Sequence, residues 1–447
     1  MNFVVVFKNL SKVKQFFVTV LFLLSFVVAQ AFAQSTPTAT LTPTNPNSWV
    51  QFRYNPDNTG FNQSLDNPFF QQKWQSPLGQ PNVTYSSPPV VLDLGSNTVP
   101  DASFTGLNGP ESSTNEGILF IGTTQGKLLA LNTYDGSLKW SYQTQGEIYS
   151  SPAVLREGTN SRVFFGSSDG MLRSMDINGN LIWQYQTGDA ILSSPTEGLI
   201  QQNGTSTDAV IVGSNDGLLY CFAALPTSGS SVTPIWTSRV SSPIIGKPAL
   251  SDDGTSIYIG TQNDTLYLMN AATGQIEDKF VANGPIRGSP TLQKSSDGTK
   301  TFVYFGAGST FYMLQNASGH LTQDYSDNIG TNIASSAALG GQGSIANVPA
   351  NVVLIGSDNG SVYVFTVNQS SSNAVLSATF NTGGQIFSSV AATESFFVIG
   401  SDDNKILTAR LADLFTQSNP VAAWSFGAAA AVEGSPVLSS YTQERVL

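Results

Sequence analysis

One unit, clearest over residues 163–195, recurs along most of this 447-residue chain and restricts its fold more than any other feature. In it, Val163-Phe164-Phe165 and Met171-Leu172-Arg173-Ser174-Met175 flank the cluster Gly166-Ser167-Ser168-Asp169-Gly170, where glycine admits the positive φ a tight hairpin needs. A second turn, Asp176-Ile177-Asn178-Gly179, leads into Leu181-Ile182-Trp183-Gln184-Tyr185. After Thr187-Gly188 a short strand opens at Ser193-Ser194-Pro195. The unit is four strands with no helix.

The hairpin glycine returns as Gly122, Gly166, Gly213, Gly260, Gly306, Gly356 and Gly400, at intervals of 44 to 50 residues. A four-stranded repeat of that period is the signature of propeller blades. The opening strand recurs eight times, at Ser87-Pro88, Ser151-Pro152, Ser194-Pro195, Lys247-Pro248, Ser289-Pro290, Ser336-Ala337, Ser389-Val390 and Ser435-Pro436. Final strands also number eight, around Trp74, Trp140, Trp183, Trp236, Lys279, Asp324, Thr379 and Trp424. The expected fold is therefore an all-β propeller of eight antiparallel blades, the closing one incomplete and built from both termini, with seven blades as the alternative. In the tryptophan position, Trp140, Trp183 and Trp236 give way to Asp278, Asp324 and Thr379 or Phe380 before Trp424 returns.

The ends of the chain carry separate expectations. Residues 1–15 hold Lys8, Lys12 and Lys14 with no acid, an apolar run follows, and Ala31-Phe32-Ala33 is a small-x-small cleavage pattern. Residues 1–33 thus read as a secretory signal peptide. Gln34, not Cys, follows the site, so no lipid anchor is expected and nothing remains inserted in a membrane after cleavage. Residues 34–48 are a Thr/Pro-rich tether, and residues 49–447 the propeller. An insertion over residues 96–115 interrupts the first blade. After Pro436 only Arg445-Val446-Leu447 resembles the start of a second strand, which reads as a truncated chain whose continuation would supply a further hairpin.

Composition enters as a filter on function. With a formal net charge of −11 and only 19 Lys plus Arg, a nucleic-acid partner is not expected. The single cysteine, Cys221, excludes an intramolecular disulfide and a cysteine-rich metal site. Asp169, Asp216, Asp252-Asp253, Asp297, Asp358 and Asp402-Asp403 fall in turns, where an Asp side chain bonds its own backbone, and no segment offers a calcium-loop run of ligands. His320, the one histidine, lies in a turn; the Ser-Pro serines have no nucleophile elbow around them. Asn-x-Ser/Thr sequons at Asn62, Asn82, Asn203, Asn263, Asn316, Asn359 and Asn368 are what an Asn-, Ser- and Thr-rich chain produces by chance.

Ala130-Leu131-Asn132 through Asp135-Gly136, Trp140 and Gly146 resembles the tryptophan-docking repeat of quinoprotein-type propellers, and Asp176, Gly179, Trp183 and Gly188 match it with one residue deleted. Trp49-Val50-Gln51-Phe52-Arg53 with Asn58-Thr59-Gly60 is similar to that family's N-terminal segment. The resemblance implies the fold and leaves activity open, since such propellers include pyrroloquinoline-quinone dehydrogenases and outer-membrane assembly scaffolds. The quinone alcohol dehydrogenases use an adjacent cysteine pair, which one cysteine cannot supply. The reading is thus an exported, secreted, periplasmic or cell-surface binding scaffold for a protein or glycan partner, with no catalytic residue assigned and no cofactor or metal. A degenerate quinoprotein oxidoreductase or another propeller enzyme is the alternative.

Overall fold

The structure, a computed structural model, describes residues 2–6, 19–23, 87–93 and 117–438, apart from 134, 158–159, 203, 227–231, 342–344 and 429–430. Residues Asn2–Val6 and Thr19–Leu23 pair as a two-stranded antiparallel sheet. All other strands belong to seven four-stranded antiparallel sheets, each a meander of four consecutive strands. The second is representative: Ala153–Leu155, Arg162–Gly166, Met171–Asp176 and Leu181–Gln186. The first sheet opens at Val90–Asp93 and the seventh ends at Trp424–Gly427. One helix, Leu411–Thr416, sits between the last two strands of the seventh. Among the described residues no helix is long and apolar enough to cross a membrane.

The arrangement is a seven-bladed propeller, and it overturns the expected eight. The seventh blade takes its outer strand from its own sequence, not from the far end of the chain. The eighth opening segment, at Ser435, extends the inner ring without making a blade. Its hydroxyl accepts the Ser389 N–H at 2.9 Å, and Val437 and Leu438 are buried in a cluster with Val90, Leu119 and Phe396 of the first and seventh blades. The strand around Trp74 and residues 439–447, on which the closing blade and the truncation were argued, lie outside the described residues.

Burial follows from this stacking. Second and third strands are almost wholly buried, as in Val163–Phe165 and Leu172–Met175, whereas fourth strands alternate with solvent. The core is a series of clusters between adjacent blades; one joins Ile211, Leu219 and Trp236 of the third to Ile257, Ile259 and Met269 of the fourth.

The recurring glycine is needed at each junction, though not for its φ. A Cβ on Gly166 would come within 2.1 Å of Ile191 Cγ2, and one on Gly213, Gly260 or Gly306 within 2.2 Å of Ile244, Ile286 or Ile333. Six of the seven glycines are the floor on which an isoleucine from the following connector rests, and over Gly400 the residue is Val432. The positive φ belongs to the turn's last glycine, +77° at both Gly170 and Gly217.

Candidate functional site

In a four-stranded meander, the turn between the second and third strands and the connector to the next blade emerge at the same end. That hairpin face is tied blade to blade by backbone. The turn residues Ser168, Asn215, Gln262, Gly308, Asp358 and Asp402 donate N–H to the carbonyls of Glu147, Ala190, Pro243, Pro285, Asn332 and Gln385 in the preceding connectors. Below it runs an inner ladder of opening-strand residues. Ser151 N–H donates to Ser194 Oγ, Lys247 to Ser289, Ser289 to Ser336 and Ser336 to Ser389, each at 2.9 Å. One residue earlier, Ser150, Ser335 and Ser388 clamp the hairpin glycines of their own blades. Ser87 accepts the Gly122 N–H at 2.7 Å and so matches Ser150, leaving Pro88 in the ladder position. These serines are structural links around the axis.

The hairpin aspartates do the same work between blades. Asp216 accepts Leu218 N–H at 2.8 Å and the Tyr220 hydroxyl at 2.6 Å, then reaches the preceding blade's Gly188 N–H at 2.8 Å. Asp169 accepts Met171 N–H, pairs with Arg173 at 2.7 Å and takes Gln145 N–H of the first blade. Burial pushes the Asp169 carboxyl up, but the Arg173 and Met171 bonds outweigh it and hold it below the usual range. Asp358 bonds Thr331 of the blade before it. Asp253 and Asp297 accept from Ser and Thr of their own turns. Asp402 differs: one carboxylate oxygen is buried without a partner, and burial followed by the Asp403 charge pushes its carboxyl up.

Two residues before each rung of the inner ladder, directly after the buried side chain that covers the hairpin glycine (Val432 in the seventh blade, isoleucine in the others), each connector carries a partly or fully exposed residue, so these seven ring the hairpin-side mouth of the channel a propeller encloses: Tyr149, Leu192, Ile245, Arg287, Ala334, Phe387 and Glu433. Phe387 is 40% exposed, Arg287 is exposed and the others are partly exposed. The Tyr149 hydroxyl is pushed up to about 12 by burial and by the neighbouring Glu147. The mouth is mostly aromatic and aliphatic, a composition enriched at protein interfaces. Sequence reading missed it, although a residue framed by Ile and Ser at the repeat period was there to find.

The structure also gathers a buried charged group that the sequence reading did not single out. Lys247, where the first blade carries Pro88 and the others Ser, is 1% exposed. Burial and then the Asp208 carboxylate push Glu197 up to about 8, with Lys247 pulling the other way. The signal was present in Lys247-Pro248, the one opening motif with a charge.

The remaining candidates are dispersed. His320 is 81% exposed at the start of the fifth blade's outer strand, its Nδ1 3.8 Å from Asp278. Cys221 is buried between the third and fourth blades, and burial pushes its thiol far up. Among the described residues no three of His, Cys, Asp and Glu are grouped to hold a metal. With the lone thiol locked in a core strand, these residues do not fit a pyrroloquinoline quinone and its metal, and no chemistry is derived through one.

Tryptophan docking is seen directly at two blades. Trp140 Nε1 donates to the Ile177 carbonyl at 2.8 Å and Trp236 Nε1 to Ala271 at 3.0 Å, each ring covering a glycine of the next blade, Gly179 or Gly274. Trp183 packs between Phe164 and Phe222 while its Nε1 has no partner. Strand register places Asp278, Tyr325 and Ala378 at this position in the next three blades, correcting Asp324 and Thr379 or Phe380. The hairpin from the third to the fourth strand differs in length from blade to blade, so the spacing of the earlier blades does not carry over. Asp278 replaces the indole functionally, accepting the next blade's Leu321 N–H at 2.8 Å.

Blades, period and docking contacts define a propeller of pyrroloquinoline-quinone-type repeats. A model of the family described as outer membrane protein assembly factor BamB matches residues 71–233 and 204–413, and the chain belongs to that family. No curated protein matches it. Among solved structures, BamB from Moraxella catarrhalis is similar at 15% identity and TM-score 0.50, over 71% of this chain and 87% of that one. Sqt1 of Saccharomyces cerevisiae is similar at 12% identity and TM-score 0.55, covering 70% and 83%. A europium-containing methanol dehydrogenase reaches TM-score 0.61 at 10% identity, covering 88% of each chain. At these identities the structural likenesses show the fold alone.

Proposed function

We propose that the protein is an exported, non-enzymatic scaffold of the cell envelope that binds a protein of the outer-membrane assembly apparatus. Residues 1–33 direct export in this reading, and the mature chain begins at Gln34. Membership of the assembly-factor family supports the partner class. The observation that carries the reading is the channel mouth: Tyr149, Leu192, Ile245 and Phe387 offer aromatic and aliphatic surface, while the adjoining hairpin carboxylates of Asp169, Asp216 and Asp358 are engaged in holding blades together. Tyr and Arg are enriched in binding hot spots, and the same set of connector positions holds Tyr149 and Arg287.

The test is site-specific photocrosslinking in the native host. A photoreactive residue at Phe387 is expected to capture an outer-membrane assembly protein, and one at His320, on the opposite face, is not. Phe387→Asp should lower the yield from a probe at Leu192 by about tenfold. Equal capture from both faces, or capture indifferent to Phe387→Asp, would overturn the reading.

A further inference from the structure

An asparagine loses its side-chain amide spontaneously when the next main-chain nitrogen attacks the side-chain carbonyl, and a following glycine, with no side chain, leaves that approach open. Asn-Gly pairs occur at Asn108, Asn178, Asn203, Asn283 and Asn359. Asn108 and Asn203 lie outside the described residues. Asn178, Asn283 and Asn359 are all exposed, so access by water does not separate them, whereas their hydrogen bonds do.

At Asn359 both reacting groups are engaged. Its Nδ2 donates to the Tyr363 hydroxyl at 2.8 Å, its Oδ1 accepts Ser361 N–H at 3.0 Å, and Gly360 N–H donates to the Ser357 carbonyl at 3.1 Å. At Asn178 the attacking nitrogen is engaged, because Gly179 N–H closes its turn on the Asp176 carbonyl at 3.2 Å, and the Trp140 ring lies over Gly179. Asn283 stands in the connector that follows the fourth blade's outer strand, Ile276–Val281. Its own N–H donates to the Tyr312 hydroxyl of the fifth blade at 3.0 Å. In the first two connectors the matching N–H groups, of Gln145 and Gly188, donate to the hairpin carboxylates Asp169 and Asp216, but the fifth blade's turn, Gly306-Ala307-Gly308-Ser309, has no acid to offer. Neither the Asn283 carboxamide nor Gly284 N–H has a hydrogen-bond partner among the described residues.

We infer that Asn283 is a site of spontaneous deamidation, converted chiefly to isoaspartate. Gly284 N–H gives its proton to hydroxide, the nitrogen bonds to Asn283 Cγ, and Nδ2 leaves as ammonia, which closes a cyclic imide. Solvent water then opens the imide at either carbonyl, giving aspartate or isoaspartate, with no oxidant or second substrate. The isoaspartyl product adds a negative charge and one main-chain carbon to the connector that carries Arg287 to the channel mouth. That connector has no room for added length: a Cβ on Gly284 would stand 2.9 Å from Gly308 Cα, and the Pro285 carbonyl accepts Gly308 N–H at 3.1 Å. The reaction therefore loosens the junction of the fourth and fifth blades. The site rests on the connector's geometry and is independent of what the mouth binds.

The test ages the full mature chain at neutral and mildly alkaline pH, digests it in acid and quantifies each Asn-Gly peptide by mass spectrometry, with isoaspartyl methyltransferase labelling to separate the two products. In the folded protein Asn283 should react about fivefold faster than Asn178 or Asn359, because at those two a glycine N–H must first leave its hydrogen bond. Its rate should rise with pH, since the attacking nitrogen has to lose a proton, and in denaturant the three rates should converge. Amide exchange at Gly308 should quicken in the aged protein and stay unchanged in Asn283→Gln held equally long. Asn178 or Asn359 reacting as fast as Asn283 in the folded chain would overturn the site, and so would an Asn283 that stays intact while the denatured chain reacts. Conversion of Asn283 without faster exchange at Gly308 would overturn the loosening of the junction. The comparison of rates is read on unaltered protein, so it holds whether or not the variant folds.

Discussion

Trp140 shows how a single side chain joins two blades. Its indole N–H satisfies the Ile177 carbonyl, and its ring lies where a Cβ on Gly179, at φ +91°, would stand 2.8 Å away. Trp140→Phe should cost about 1 kcal/mol through the lost hydrogen bond, and Trp140→Ala about 2–3 kcal/mol because the ring contact goes as well. Gly179→Ala should be as damaging as the loss of the ring, since both the left-handed backbone and the contact oppose it; urea midpoints of the three variants check the order. Glu197 gives a second expectation. Its folded carboxyl is raised to about 8, burial being the main cause, whereas an unfolded one titrates near 4.3. Between these values the unfolded chain gives up its proton first, so stability falls as pH rises from about 4.5 to 8 and levels off above. Glu197→Gln, neutral throughout, should therefore raise the melting temperature at pH 8.5 and leave it nearly unchanged at pH 4.5. A wild-type curve without that relative fall would show that Glu197 is ionised in the folded protein.

At the scale of elements, the hairpins were legible because their signals are local: a run of apolar residues, a Gly-Ser-Asp-Gly turn and a second run fix two strands and the turn between them. The role of the hairpin glycine was not, since the atom that excludes a side chain belongs to an isoleucine roughly 25–30 residues later, brought there by the connector. Gly166→Ala would drive a methyl into Ile191, and overpacking of this kind should cost about 1–3 kcal/mol. The effect should shrink when Ile191→Val is added, if Ile191 has freedom to retreat; a double-mutant cycle in urea reads the coupling. A cycle in which the two changes simply add would mean that the glycine serves the turn and not the junction. Outer strands show the opposite limit. That Tyr325 and Ala378 stand at the docking position is set by pairing with the third strand across hairpins of unequal length, which spacing alone does not reveal.

For the whole molecule, closure is where the blade count was decided. Ser435 continues the inner ladder, and Val437 and Leu438, at 1% and 0% exposure, pack between the seventh and first blades. Val437→Ala with Leu438→Ala should lower stability by about 3–5 kcal/mol. In hydrogen exchange the loss of protection should be largest in the first and seventh blades. A uniform loss would argue that these residues support the ring generally instead of closing it. The sequence by itself determined the blade: its four strands, its period and the turn chemistry that ends each strand, all of which follow from neighbours within a few residues. It also determined that the chain has one histidine and one cysteine, which are facts of composition. Tertiary structure decided how many blades make the ring and what an eighth opening motif becomes. It also decided which residues meet at the channel mouth and that the buried Lys247 lies near enough to Glu197 to act on its carboxyl. These depend on contacts between residues 20 or more positions apart, where each blade's connector is laid over the next blade's hairpin and the opening strands are linked around the axis, and no local pattern encodes which surface that stacking leaves exposed.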